Sequence, residues 1–118
     1  MYGPVCVTAF DRNLSMKHLA DIDEIQAETA AGMLSALANP RRLMILCSLV
    51  AGEMSVGELN ERVPLSQSAL SQHLARLRNE NLVETRRESQ TIYYRISEPA
   101  VYEIIARLHE RFCARDEG

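Results

Sequence analysis

Most of the architecture is written in residues 55–96, SVGELNERVPLSQSALSQHLARLRNENLVETRRESQTIYYRI. Ser55 and Glu58 have the Ser-x-x-Glu spacing of a capping box, in which each side chain satisfies a free backbone N–H at a helix start. A short helix over about 56–62 is therefore expected. Pro64 ends it, and Ser66 is placed to cap a second helix whose Leu70, Leu74 and Leu77 recur along one face. The runs Leu82–Arg87 and Thr91–Ile96 follow, with β-branched and aromatic residues, joined by the polar Glu88, Ser89 and Gln90. They read as a two-stranded hairpin.

Working outward, Pro99 opens a helix in which Val101, Ile104, Ile105, Leu108 and Phe112 form an apolar stripe. On the other side, Asn39 offers a side-chain cap and Pro40 suits a first helical turn, predicting a helix from there to about Ala51, stopped by Gly52. Leu19, Ile22, Ile25, Met33, Leu34 and Leu37 predict a further helix of roughly twenty residues beginning near Ser15. Residues 1–14 mix Gly, Pro, Thr, Asp and Asn without periodicity and read as a loose arm, leaving 15–118 as the folded domain.

Helices, then a helix-turn-helix, then a hairpin, then a helix is the order of a winged helix-turn-helix domain. The expected class is mainly α, with about five helices and a two-stranded wing. In so short a chain the apolar stripes of the first and last helices exceed what the central helices can cover. Pairing them with a symmetry mate would bury them and set two recognition helices about one DNA turn apart, so a homodimer is expected.

With Leu70, Leu74 and Leu77 turned inward, the helix after Ser66 presents Gln67, Ser68, Ser71, Gln72 and Arg76, side chains suited to base edges and phosphates. No Asp or Glu lies between Ser66 and Asn79. His73, beside Leu74, reads either as a half-buried helix residue or as a phosphate donor. Arg86, Arg87 and Arg95 fall on the hairpin, placed for the minor groove or the backbone, or else as ordinary edge-strand charges. The net charge of −3 is unevenly spread, because Ser66–Ser97 carries five basic and three acidic residues. Double-stranded operator DNA is the expected partner, met by a locally basic surface on an acidic body.

No apolar run is long enough to span a bilayer, and the N-terminus lacks the layout of a signal peptide, so a cytoplasmic location without membrane contact is expected. In that compartment Cys6, Cys47 and Cys113 would remain reduced, and an odd number cannot all pair within one chain. A thiol oxidoreductase is disfavoured by the absence of Cys-x-x-Cys and of a βαβ pattern, and no catalytic residue or cofactor is expected.

The runs LANPRRLMILCSL and residues 55–96 resemble the ArsR/SmtB family of bacterial winged-helix repressors across about residues 30–115. Leu70, Ser71, His73, Leu74 and Leu77 match the family's Leu-Ser-x-His-Leu-x-x-Leu recognition helix, while Asn81 stands where a Gly is common. The resemblance implies a dimeric repressor released from its operator by an inducer, commonly a metal ion. Ser55 and Gly57 occupy the positions of the common Cys-x-Cys metal site, and His109 and Glu110 do not complete the site of the last helix, so no metal is expected.

Cys47 and Cys113 instead resemble the cysteine pair of the BigR/SqrR subgroup, which senses reactive sulfur species. Membership would imply a persulfide or polysulfide inducer. A thiolate attacks sulfane sulfur to give a persulfide, and the second thiol closes a sulfur bridge. Thiols whose Cα atoms lie beyond about 7 Å cannot close an unstrained disulfide, whereas a bridge with added sulfur reaches further. Two other readings stand beside it. Cys47 shares a stripe with Leu43, Leu46 and Val50 and would then be a small core residue, or Cys47, Cys113 and Cys6 would bind a metal or arsenite as thiolates.

Overall fold

The computed structural model describes residues 20–113, and Cys6 and the expected arm lie outside them. The first element bounded on both sides within the described residues, α1, runs Glu24–Leu37. The one helix expected from near Ser15 is interrupted: Ala20 is helical, residues 21–23 are not, and a capping box between Asp23 and Gln26 starts the fourteen-residue α1 at Glu24, while residues 15–19 lie outside the described ones. The Gln26 N–H donates to Asp23 Oδ1 at 2.7 Å, and the Asp23 N–H donates to Gln26 Oε1 at 3.0 Å. Helix α2 runs Pro40–Leu49, with the Asn39 side chain accepting from the N–H groups of Arg41 and Arg42. It ends two residues before Ala51, and Gly52 turns the chain at φ +147°, a conformation open to glycine alone among ordinary residues.

That turn delivers a strand the sequence did not signal. β1 is only Met54–Ser55, too short to show periodicity, and it pairs antiparallel with β3. Ser55 then caps α3, Val56–Arg62, through the expected box with Glu58. Asn60 donates to the Leu65 carbonyl at 3.0 Å and holds the turn into α4, Gln67–Asn79, where Ser66 Oγ accepts from the Ala69 N–H. The wing strands are β2, Val83–Glu88, and β3, Thr91–Ile96, and the sheet order is β1-β3-β2. Asn81 and Ser89 sit at φ +60° on either side of β2. Asn tolerates the left-handed region because its short polar side chain bonds locally, so Asn81 does here what a Gly would do. Helix α5, Pro99–Phe112, completes the chain, for five helices and a three-stranded sheet among the described residues.

One core joins these elements. Ile45, Leu46 and Leu49 of α2, Leu59 of α3, and Leu70, Leu74 and Leu77 of α4 meet Leu82, Val83, Ile96, Val101 and Ile105, all buried. The three leucines of α4 thus anchor that helix and leave its opposite side to solvent. From α5 the core takes Val101 and Ile105, whereas Phe112 at its end is 60% exposed. Ile22, Ile25 and Leu34 on and before α1 are also exposed. No helix of the described residues is long and apolar enough to cross a membrane.

Candidate nucleic-acid interface and thiol groove

The outer face of α4 carries Gln67, Ser68, Ser71 and Gln72, all exposed. The helix supplies the reason: 70, 74 and 77 point inward, so 67, 68, 71 and 72 turn outward. With no acidic residue on α4, the face offers amide and hydroxyl groups to base edges without repelling phosphate. The structure leaves these four together on one surface, as expected.

His73 and Arg76 lie on the flank of α4, both partly buried. Arg76 Nη2 donates to Ser35 Oγ at 3.0 Å, and Arg42 Nη1 lies 3.3 Å from His73 Nδ1. Burial, with the charges of Arg42 and Arg41, holds the His73 imidazole below its ordinary range, so the ring is neutral at physiological pH. Arg42 was missed in the sequence. Its only signal was its place at the start of a helix two residues after a Pro.

The three wing arginines differ from one another. Arg86 donates through Nε and Nη2 to Glu53 and through Nη1 to Glu88, and its guanidinium lies 4.5 Å above the Tyr93 ring. Arg95 is paired with Glu84 across the strands. These acids hold both arginines along the body of the wing. Either would have to leave its carboxylate to reach a phosphate. Arg87, opposite Ile92, is exposed and has no ion pair among the described residues. Glu53 could not be linked to Arg86 from the sequence, because thirty-three positions separate them.

Cys47 and Cys113 are exposed free thiols. Cys47 is therefore no core residue: α2 buries Ile45, Leu46 and Leu49, and the thiol emerges on another side. It opens into a groove of about 710 Å³ between α2 and α5, lined also by Val50, Tyr102, Glu103, His109 and Glu110. Cys113 caps the end of α5, its N–H donating to the His109 carbonyl one turn back at 2.8 Å. Partial desolvation in the groove pushes the Cys47 thiol up from its ordinary value, and the charge of Cys113 pushes it the same way. Among the described residues no three His, Cys, Asp or Glu side chains are grouped to hold a metal ion.

Residues 39–85 match the description "bacterial regulatory protein, arsR family". Nodulation protein NolR of Rhizobium meliloti is 62% identical over 84 residues, 71% of this chain and 69% of that protein. The crystal structure of the transcriptional repressor BigR from Xylella fastidiosa superimposes with a TM-score of 0.74 at 38% identity, covering 85% of this chain and 98% of that one. A homodimeric winged helix-turn-helix DNA-binding domain from Mycobacterium bovis matches with a TM-score of 0.66 at 33% identity, covering 76% and 86% of the two chains.

Proposed function

The chain belongs to the arsR family of bacterial regulatory proteins and is a DNA-binding regulator of transcription, not an enzyme; from that premise we propose a cytoplasmic, homodimeric repressor that reactive sulfur releases from its operator. The outer face of α4, with Gln67, Ser68, Ser71 and Gln72, enters the major groove. His73, Arg76 and Arg87 approach the phosphates. Arg86 and Arg95 shape the wing and reach DNA only by exchanging their acids for phosphate. Dimerisation covers the exposed Ile22, Ile25, Leu34 and Phe112, and the homodimeric relative supports that reading.

The observation carrying the sensing half is geometric: Cys47 opens into the groove between α2 and α5, and Cys113 stands at the end of α5, both as exposed free thiols. Each thiolate attacks the outer sulfur of a persulfide R–S–SH, forming protein–S–SH and releasing RS⁻. The deprotonated Cys47 persulfide then attacks the inner sulfur of the Cys113 persulfide and expels HS⁻. The product is a trisulfide between α2 and α5, formed with no further oxidant. Such a bridge ties the helix that braces α4 to the helix expected at the dimer interface, and either movement breaks the spacing of the two recognition helices.

Mass spectrometry and gel retardation on one reduced preparation test both halves. Glutathione persulfide should give a Cys47–Cys113 link containing added sulfur and free a promoter fragment. Release by persulfide from a Cys47→Ser, Cys113→Ser double variant would refute the sensor, and failure of the reduced protein to retard its own promoter would refute the repressor.

A further inference from the structure

The His73 ring is held by a residue from another helix. Arg42 Nε donates to the Ala36 carbonyl at 2.6 Å and Nη2 to the Ser35 carbonyl at 3.4 Å, both in the last turn of α1. The Ala36 carbonyl is one of the last-turn carbonyls a helix leaves without an internal partner, the Ser35 carbonyl also accepts from the Ala38 N–H at the C-cap, and a cation suits the negative end of the helix dipole. The Arg42 backbone is fixed in turn, its N–H donating to Asn39 Oδ1 at 3.0 Å. The remaining arm of the guanidinium, Nη1, reaches His73 Nδ1 at 3.3 Å. Arg76, three residues along α4 and so on the same flank, bonds Ser35 Oγ at the same turn of α1.

A guanidinium has only donors. The Nδ1 of His73 must therefore present a lone pair, and the proton of the neutral ring sits on Nε2. Arg41, Arg42 and Arg76 are the charged groups around this ring, and among the described residues none of them forms an ion pair with a carboxylate. Protonating His73 would set N–H against N–H and add a fourth cation.

We infer that Arg42 is a positioning residue for DNA binding: by fastening His73 Nδ1 to the end of α1, it sets the rotation of α4 and leaves Nε2–H as the ring's donor toward a backbone phosphate. This rests on the operator-binding reading above and adds to it a residue outside the helix-turn-helix. Arg42 acts through His73 and need not touch DNA. It also sits on α2 with Cys47, so displacement of that helix would act on α4 directly.

Ring-nitrogen NMR of ¹⁵N-histidine full-length chain, with fluorescence anisotropy on a promoter duplex that the wild type retains, tests the inference. In the wild type His73 should be the Nε2–H tautomer and titrate below an ordinary imidazole. Arg42→Lys, which keeps the charge but cannot span the two carbonyls and the ring, should mix the tautomers and raise that titration point. Arg42→Lys and His73→Ala should each weaken duplex binding about tenfold, and the double variant no more than either alone. Arg42→Met should behave as Arg42→Lys, and should it fail to fold, Arg42→Lys carries the test. Unchanged His73 titration in Arg42→Lys, or losses that simply add, would overturn the inference. A wild type that retains no duplex would defeat the operator reading instead, while the NMR arm still decides whether Arg42 fixes the ring.

Discussion

Arg86 in the wing and Glu53 in the turn before β1 form a two-pronged ion pair, Nε to Oε1 at 3.2 Å and Nη2 to Oε2 at 2.5 Å, across thirty-three residues. The arginine holds the Glu53 carboxyl below the usual carboxylate range. A depressed carboxylate stabilises the fold above its unfolded pKa, and that contribution disappears as pH falls through the lower, folded value. Glu53→Gln should therefore leave stability nearly unchanged in strong acid and reduce it at neutral pH. Urea melts followed from neutral pH down into strong acid compare the two, and a loss that stays equal throughout would refute the pairing.

The same bond separates the three wing arginines. Arg87→Ala should reduce the slope of log affinity against log salt by about one, the value for one lost phosphate contact. Arg86→Ala should lower thermal stability and change that slope little. Anisotropy titrations from low to moderate salt read both, and a larger slope change for Arg86 than for Arg87 would reverse the assignment.

Cys47 should be alkylated slowly at neutral pH, with a rate that rises with pH to a midpoint above that of an ordinary thiol, because only the thiolate reacts. Cys113→Ser removes a like charge and should shift the profile toward lower pH. Iodoacetamide rates measured by mass spectrometry give both curves. Identical profiles would mean that the two sulfur groups do not interact in solution.

Asn81 at φ +60° should accept Gly with little change and resist Val, which would cost about 1–2 kcal/mol or more because its branched side chain meets the backbone there. Chemical denaturation would show it. A Val variant as stable as the parent would exclude the left-handed conformation.

Leu74, almost wholly buried between α4 and the core, should cost about 2–5 kcal/mol when cut to Ala. Duplex binding should then fall with the folded fraction.

Local signals carried most of the fold in the sequence. The capping box at Ser55, the caps at Asn39 and Ser66, the spacing of Leu70, Leu74 and Leu77, and the hairpin runs each concern neighbours within a few residues, and each appears where expected. The same locality exposed Gln67, Ser68, Ser71 and Gln72 as one face, because a helix fixes which residues oppose its buried stripe. The continuity of that first helical stretch was misjudged for a related reason: apolar spacing runs on through Ile22, but the cap at Asp23 breaks the helix between Ala20 and Glu24.

Contacts between distant segments were not legible. Two-residue β1 exists only because β3 is there to pair with it, and Arg86 is a strut only because Gly52 swings Glu53 beneath the wing. A stripe with Leu43, Leu46 and Val50 made Cys47 resemble packing, yet the position of α5 left it at the mouth of a groove. Arg42 and His73, thirty-one residues apart, meet because α1, α2 and α4 converge at one turn. Periodicity and capping are properties of a chain with its near neighbours, whereas which charge meets which partner depends on how whole elements pack.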